Sequence, residues 1–279
     1  MDVSFLLNGE SVALQGVDPT HTVLDWLRND RGLTGTKEGC NEGDCGACTV
    51  MMRDGDRLVA VNACILLLPH LQGKSIRTVE AISGPEGALH PVQTAMVTHH
   101  GSQCGFCTPG FIASMAVAHS SGDTDAETAL AGNLCRCTGY APILRAARAA
   151  ATEPVPDWMQ DPPAPEPPNE ALIPETVEAL ADLYARQPDA TLIAGATDVG
   201  LWVTKGLTEI ATPIFLHRVA ELNDVAETDA GLRIGAGVTM DRMLKLMEDR
   251  HPSYATVLRR YGSAQVRASA TLGGNIANG

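Results

Sequence analysis

The placement of eight cysteines restricts this chain more than any other feature. Cys40, Cys45, Cys48 and Cys64 form one quartet and Cys104, Cys107, Cys135 and Cys137 a second, with a cysteine-free stretch between them. Eight thiols would make four disulfides, but 279 residues, 44% of them apolar and 19% charged, build hydrophobic interiors without covalent staples. Met1 to Glu10 shows no basic segment ahead of an apolar stretch, so the expected location is the cytoplasm, where thiols stay reduced. Metal binding is the better use of these residues, and two quartets predict two sites in two modules.

The first quartet reads Cys40-x4-Cys45-x2-Cys48 with Cys64 arriving from a separate segment, the spacing of a plant-type two-iron ferredoxin. Three thiolates on one loop wrap one side of a cluster and the fourth closes it. Gly39, Gly43 and Gly46 let such a loop bend sharply and turn backbone N–H groups toward sulfur. Zinc also takes four cysteines, but its sites are usually built from two separated pairs, so iron–sulfur is the reading here. The second quartet is two pairs, Cys104-x2-Cys107 and Cys135-x-Cys137. That spacing alone admits zinc, a redox disulfide or a cluster. Thr108-Pro109 predicts a helix start with Thr108 as cap, and Thr138-Gly139 precedes another helix. Both pairs then lie near helix N-termini, where the dipole favours thiolates and an anionic cluster, and the two helices are expected to face one another.

Around these sites the pattern changes along the chain. Asn8-Gly9 between Val3–Leu7 and Ser11–Leu14 predicts a hairpin, as does Asp54-Gly55 further on. Thr22 is positioned to cap a helix carrying Val23, Leu24, Trp26 and Leu27. From His90 the apolar spacing is helical, through Val92, Ala95 and Met96, then Phe111, Ile112 and Met115, then Ile143, Leu144 and Ala147, which predicts a helical bundle. Seven prolines between Glu153 and Asn169 predict an extended linker. Beyond it, strand and helix signals alternate, starting with a helix capped by Thr176. The expected fold class is therefore α+β and multidomain: a small mixed sheet in 1–84, a helical domain in 85–152, a Pro-rich linker in 153–170 and an α+β region in 171–279.

Charge narrows the partners. Twenty Lys plus Arg against 33 Asp plus Glu give a net charge of −13, which excludes a broad surface for phosphate backbones and so argues against nucleic acid. No apolar run approaches the roughly 18 residues needed to cross a bilayer, so no membrane partner is expected. In the last region, Leu192-Ile193-Ala194-Gly195-Ala196-Thr197-Asp198-Val199 reads as a buried strand followed by a turn of small residues, suited to close approach by a pyrophosphate. Thr271-Leu272-Gly273-Gly274-Asn275 adds paired glycines and an amide. Between them, Gly235-Ala236-Gly237 lacks the third glycine of a dinucleotide fingerprint and reads as strand. His99-His100 point in different directions on a helix, so solvation or capping is expected there rather than a metal.

The segments Gln103 to Gly110 and Gly132 to Tyr140, with Gly35 to Val50 before them, resemble the molybdenum hydroxylase family. The order iron–sulfur, iron–sulfur, flavin is similar to that of the small, iron–sulfur and FAD subunits of bacterial xanthine dehydrogenases. That resemblance implies a β-grasp ferredoxin-like domain, a four-helix-bundle domain with a second [2Fe-2S] cluster, and the first part of an FAD-binding domain whose pocket is incomplete. It implies FAD contacts from Leu192 to Val199 and from Thr271 to Asn275, an aromatic ring near the flavin at Tyr261, and a molybdopterin contact at Gln103. It implies a molybdopterin-binding large subunit in a heterotetramer of two small and two large chains, with NAD as acceptor in purine oxidation and no catalytic residue in this chain itself. An aldehyde-, carbon monoxide- or N-heterocycle-oxidising relative, or an electron-carrier module without enzymatic activity, are the alternatives.

Overall fold

The computed structural model describes residues 1–279. Strands β1 (Val3–Leu7) and β2 (Glu10–Leu14) pair around Asn8 and Gly9, whose φ of 55° and 84° are those of a two-residue hairpin turn. Helix α1 (Val23–Asp25), capped by the Thr22 hydroxyl, continues as a π-type turn over Trp26–Asp30 and stops at Gly32. Strands β3 (Thr49–Asp54) and β4 (Arg57–Asn62) form the second hairpin, and β5 (Ser75–Arg77) lies between β1 and β3. The strand order β2-β1-β5-β3-β4, with β1 and β5 parallel and the other pairs antiparallel, is the expected β-grasp sheet. Phe5, Leu24, Leu27 and Ile76 are fully buried beneath it, each worth about 1.5–3 kcal/mol of transfer free energy. Phe5 packs edge-on against Trp26, ring centroids 5.4 Å apart.

Helices α2 (Pro91–Thr98), α3 (Thr108–Ser121), α4 (Ala126–Leu130) and α5 (Ala141–Ala150) make the helical domain. Its core joins Val92, Met96, Phe111, Met115, Ile143 and Ala146. His90 caps α2 through Nδ1, with Gln93 completing the capping box. His99 closes the same helix as its C-cap, and His100 follows it with a φ of 55°. At α3 the expected cap is shifted: Cys107 occupies the cap position, and Thr108 lies inside the first turn with its hydroxyl on Ser102. The reason is Pro109, whose fixed φ suits either of the first two helical positions. Helices α3 and α5 meet near their N-termini through Phe111 and Tyr140, ring centroids 6.4 Å apart.

The proline-rich segment carries one 3₁₀ turn, Asp157–Met159, and no strand, and it is strapped to the other domains. Trp158 and Met159 pack into the helical core, Trp158 Nε1 donates to Ile82 O, and Asp161 pairs with Arg77 at the sheet. Gln72 donates to Pro168 O.

The remaining chain holds α6 (Val177–Arg186), β6 (Thr191–Ile193), α7 (Val199–Thr204), β7 (Pro213–Phe215), β8 (Val225–Thr228), β9 (Gly231–Ile234), α8 (Met240–Arg250), α9 (Pro252–Arg260), α10 (Ala264–Ser269) and α11 (Leu272–Asn278). Strands β6 and β7 pair in parallel, and β8 and β9 form a hairpin. Gly235-Ala236-Gly237 is a turn after β9 rather than strand. The backbone folds over there because Gly235 and Gly237 N–H bond back to Asp224 O and Leu222 O. No helix of the fold is long and apolar enough to cross a membrane.

Candidate functional site

The first cysteine loop runs from Gly39 to Cys48, between the π-type turn and β3. Gly43 and Gly46 adopt φ of 81° and 70°, as the sequence requires. At Gly39 the demand is space, because a Cβ would lie 2.7 Å from Cys45 Sγ. The loop turns N–H groups onto sulfur: Asp44 and Cys45 donate to Cys40 Sγ at 3.4 and 3.3 Å, and Cys40 N–H donates to Cys45 Sγ at 3.3 Å. Cys64, from the segment after β4, faces both Cys40 and Cys48. Cys64 and Cys48 are 1% and 2% exposed, so this quartet is sealed on their side. Interaction with Cys64 holds the Cys40 thiol down to about 3, and the N–H groups of Cys45, Glu42 and Asp44 add to it. Cys64 is pushed up by the same sulfurs and by burial.

The second quartet forms where the start of α3 meets the loop before α5. Cys104 faces Cys137, and Cys107 faces Cys135. Burial opposes ionisation of Cys135, but the Thr138 hydroxyl at 3.2 Å and its N–H hold that thiol below its usual range. Burial pushes Cys107 up to about 12. Cys104 and Cys137 are exposed and are flanked by the exposed side chains of Phe106, Leu134 and Tyr140. Gln103 is exposed beside them. A two-iron cluster divides its four thiolates between two irons.

The quartets touch through backbone. Leu134 N–H donates to Cys45 O at 2.9 Å, so one hydrogen bond joins a cysteine of the first loop to the neighbour of Cys135. Beside it lies a polar node that sequence reading missed. Asn133, 2% exposed, donates to Gly46 O at 3.0 Å and to Thr49 Oγ1, and accepts from Ser114. Gln265 of α10, 1% exposed, reaches Thr49, Ser114 and Asn133 from the third domain.

A groove of about 370 Å³ lies on that third domain, within the range of ligand sites, lined by Leu192, Ala194 to Val199, Thr271, Gly273, Gly274 and Asn275. Both small-residue segments therefore converge. Gly195 permits it, since a Cβ there would lie 1.8 Å from Ser269 O, and Gly273 sits where a Cβ would lie 2.7 Å from Ala236 Cβ. Three expected contacts stand back from the groove. Ile193 is fully buried, Leu272 packs against the α8–α9 core, and Tyr261 reaches the site through its hydroxyl, which donates to Asn275 Oδ1 at 2.7 Å. Trp202, Leu216, Leu222, Ala236 and Gly237 also line it, and only the last two carried a signal, the small-residue run. His70 of the first domain braces the groove: burial holds it down to about 4, and as neutral imidazole its Nε2–H donates to Ala194 O at 2.7 Å.

Residues 5–68 match the family of 2Fe-2S iron–sulfur cluster binding domains, residues 78–148 the [2Fe-2S] binding domain family, and residues 168–279 the FAD binding domain in molybdopterin dehydrogenase. Xanthine dehydrogenase/oxidase of Rattus norvegicus is 33% identical over 351 aligned residues, covering 99% of this chain. The chain belongs to the molybdenum hydroxylase family. Aldehyde oxidase 2 of Macaca fascicularis is 31% identical over 99% of the chain. The solved structure of quinoline 2-oxidoreductase from Pseudomonas putida 86 is 38% identical, covers 55% of this chain and 94% of its own, and superposes with a TM-score of 0.49. This molybdenum hydroxylase chain spans about a quarter, 26%, of the length of the curated relatives it matches. Its cofactors are two [2Fe-2S] clusters and FAD, and the thiol quartets and the glycine-lined groove fit them.

Proposed function

We propose that this chain is the electron-transfer part of a xanthine dehydrogenase, acting in the cytoplasm with a molybdopterin-binding large subunit in a heterotetramer of two small and two large chains, with NAD as acceptor. Cys40, Cys45, Cys48 and Cys64 ligate the first cluster, and Cys104, Cys107, Cys135 and Cys137 the second. The domains divide at 1–84, 85–152 and 171–279, with 153–170 as strap. When bound, the clusters relay single electrons and FAD collects two for hydride transfer to NAD.

The chain's own residues give this relay its direction. The exposed Cys104 and Cys137, with Phe106, Leu134 and Tyr140 around them, offer a face for the partner, and in this reading the exposed Gln103 contacts its pterin. The observation that carries the reading is the Leu134–Cys45 hydrogen bond, which makes the first quartet the next station inward. From there Gly200 of α7 packs so closely on the segment after Cys64 that a Cβ would lie 2.8 Å from Ile65 O, and α7 leads directly back to the groove loop. Thr271 and Asn275, which line that groove, would hold the FAD there, and His70 fixes the loop through Ala194 O.

An aldehyde-oxidising reading is supported by the 31% identity to aldehyde oxidase 2, and substrate choice resides in the partner. Co-expression with the molybdopterin subunit, followed by assay of NADH formed from xanthine against aldehydes, separates the two. Xanthine-dependent NADH formation supports the proposal; turnover of aldehydes alone, or none with NAD, overturns it.

A further inference from the structure

We infer that Lys205, a residue of the FAD-binding domain, sets the redox potential of the first cluster. The inference rests on the assignment of Cys40, Cys45, Cys48 and Cys64 as that cluster's ligands.

Lys205 follows α7 as its C-cap, with its N–H on Leu201 O. Its Nζ donates to Cys40 O at 2.5 Å, a carbonyl across the domain boundary and 165 residues away in sequence. The helix that carries it cannot drift, because Gly200 sits against Ile65 O with no room for a Cβ. A cationic head is thus pinned on the backbone of the very residue whose sulfur collects the N–H groups of Asp44 and Cys45. Reduction adds one negative charge to an already anionic cluster, so a fixed cation nearby stabilises the reduced form and raises the potential. Glu42 lies 3.7 Å from the same ammonium and opposes it. The lysine is held on the Cys40 carbonyl while Glu42 has only the longer contact, so the cation prevails. Lys205 and Glu42 are 45% and 44% exposed, and salt therefore screens both.

The arrangement ties a property of the first domain to the seating of the third. With the FAD-binding domain in place, the first cluster becomes the better electron acceptor.

The test is an anaerobic potentiometric titration of the full chain, read by low-temperature electron spin resonance, for the unaltered protein, Lys205→Gln, Lys205→Arg and Glu42→Gln. The first cluster is the signal that disappears in Cys45→Ala. At the unaltered midpoint, Lys205→Gln should lower the reduced-to-oxidised ratio of the first cluster about threefold to tenfold and leave the second cluster alone. Lys205→Arg should restore it, Glu42→Gln should move it the other way, and the Lys205→Gln difference should shrink in high salt. An unmoved first cluster in both Lys205→Gln and Glu42→Gln overturns the inference, as does an equal shift of both clusters, which marks a purely structural tether. If the unaltered protein lacks the first signal altogether, the ligand assignment has failed instead.

Discussion

The N–H of Leu134 and the carbonyl of Cys45, 2.9 Å apart, join the two cysteine quartets by covalent bonds and a single hydrogen bond. Three glycines allow that approach. A Cβ on Gly46 would lie 2.2 Å from Gly132 O, one on Gly110 would lie 2.1 Å from Gly46 O, and one on Gly132 would lie 2.3 Å from Gln265 Oε1.

Gly110→Ala is the gentlest way to disturb this contact, because Gly110 lies in α3 and its φ is not positive. The added methyl must push the Cys45–Gly46 backbone away from Leu134. The expected cost is about 1–3 kcal/mol of stability by urea unfolding, with full iron content and slower electron exchange between the clusters in rapid-freeze spin resonance. Unchanged exchange with lowered stability would show that the hydrogen bond is not the route.

Cys45→Ala should remove the first cluster and spare the second, because each quartet is formed within its own domain. Iron per chain should fall from about four to about two, with one spin-resonance signal remaining after dithionite reduction. Loss of both signals together would contradict two independent sites.

What could be read from the sequence was local. Asn8-Gly9 announces its hairpin because both residues tolerate positive φ, and the first quartet announces its cluster because a tight loop must carry three of its four thiols. Gln265 and Asn133 gave no such notice: Gln265 meets Thr49 across 216 residues and Asn133 meets Gly46 across 87, and nothing in either neighbourhood encodes a partner so distant. Trp158 was hidden in the same way by the prolines around it, which describe an extended chain but not the surface it lies on. Gly235-Ala236-Gly237 misled through its neighbours, since apolar residues on both sides look like strand while Leu222 O and Asp224 O bend the backbone into the groove wall.

Gln265 is the only residue of α10 that reaches Thr49, Ser114 and Asn133 together. Gln265→Ala leaves buried acceptors of the first two domains short of a donor, so it should cost about 1–3 kcal/mol in urea unfolding. A change below about 0.5 kcal/mol, the level of an ordinary surface substitution, would show that water replaces the amide freely.

The strap is held by Asp161, whose carboxylate meets Arg77 with side-chain exposures of 8% and 10% and also accepts from Ser75. Asp161→Ala strands a buried guanidinium and should cost about 3–5 kcal/mol, with new protease cleavage in the 160–170 segment. The pair Arg77→Met with Asp161→Leu should recover most of the stability. Persistent loss in that double variant would mean that the charge pair is not what anchors the strap.

His70 carries the pH dependence of the contact between the first domain and the groove loop. Burial holds its folded pKa down to about 4 against 6.5 for a free imidazole, so the unfolded chain takes up the proton first as pH falls. Stability from the neutral ring is complete well above pH 6.5 and is lost progressively between 6.5 and about 4. Between pH 8 and 5.5 one such group removes about 1.4 kcal/mol. His217 and His90, also held down by burial, steepen the same slope. His70→Gln keeps a donor for Ala194 O but cannot titrate, so its urea-unfolding free energy should fall by about 1.4 kcal/mol less than that of the unaltered protein over this range. Identical slopes would mean that the imidazole is solvated and titrates freely in the folded state.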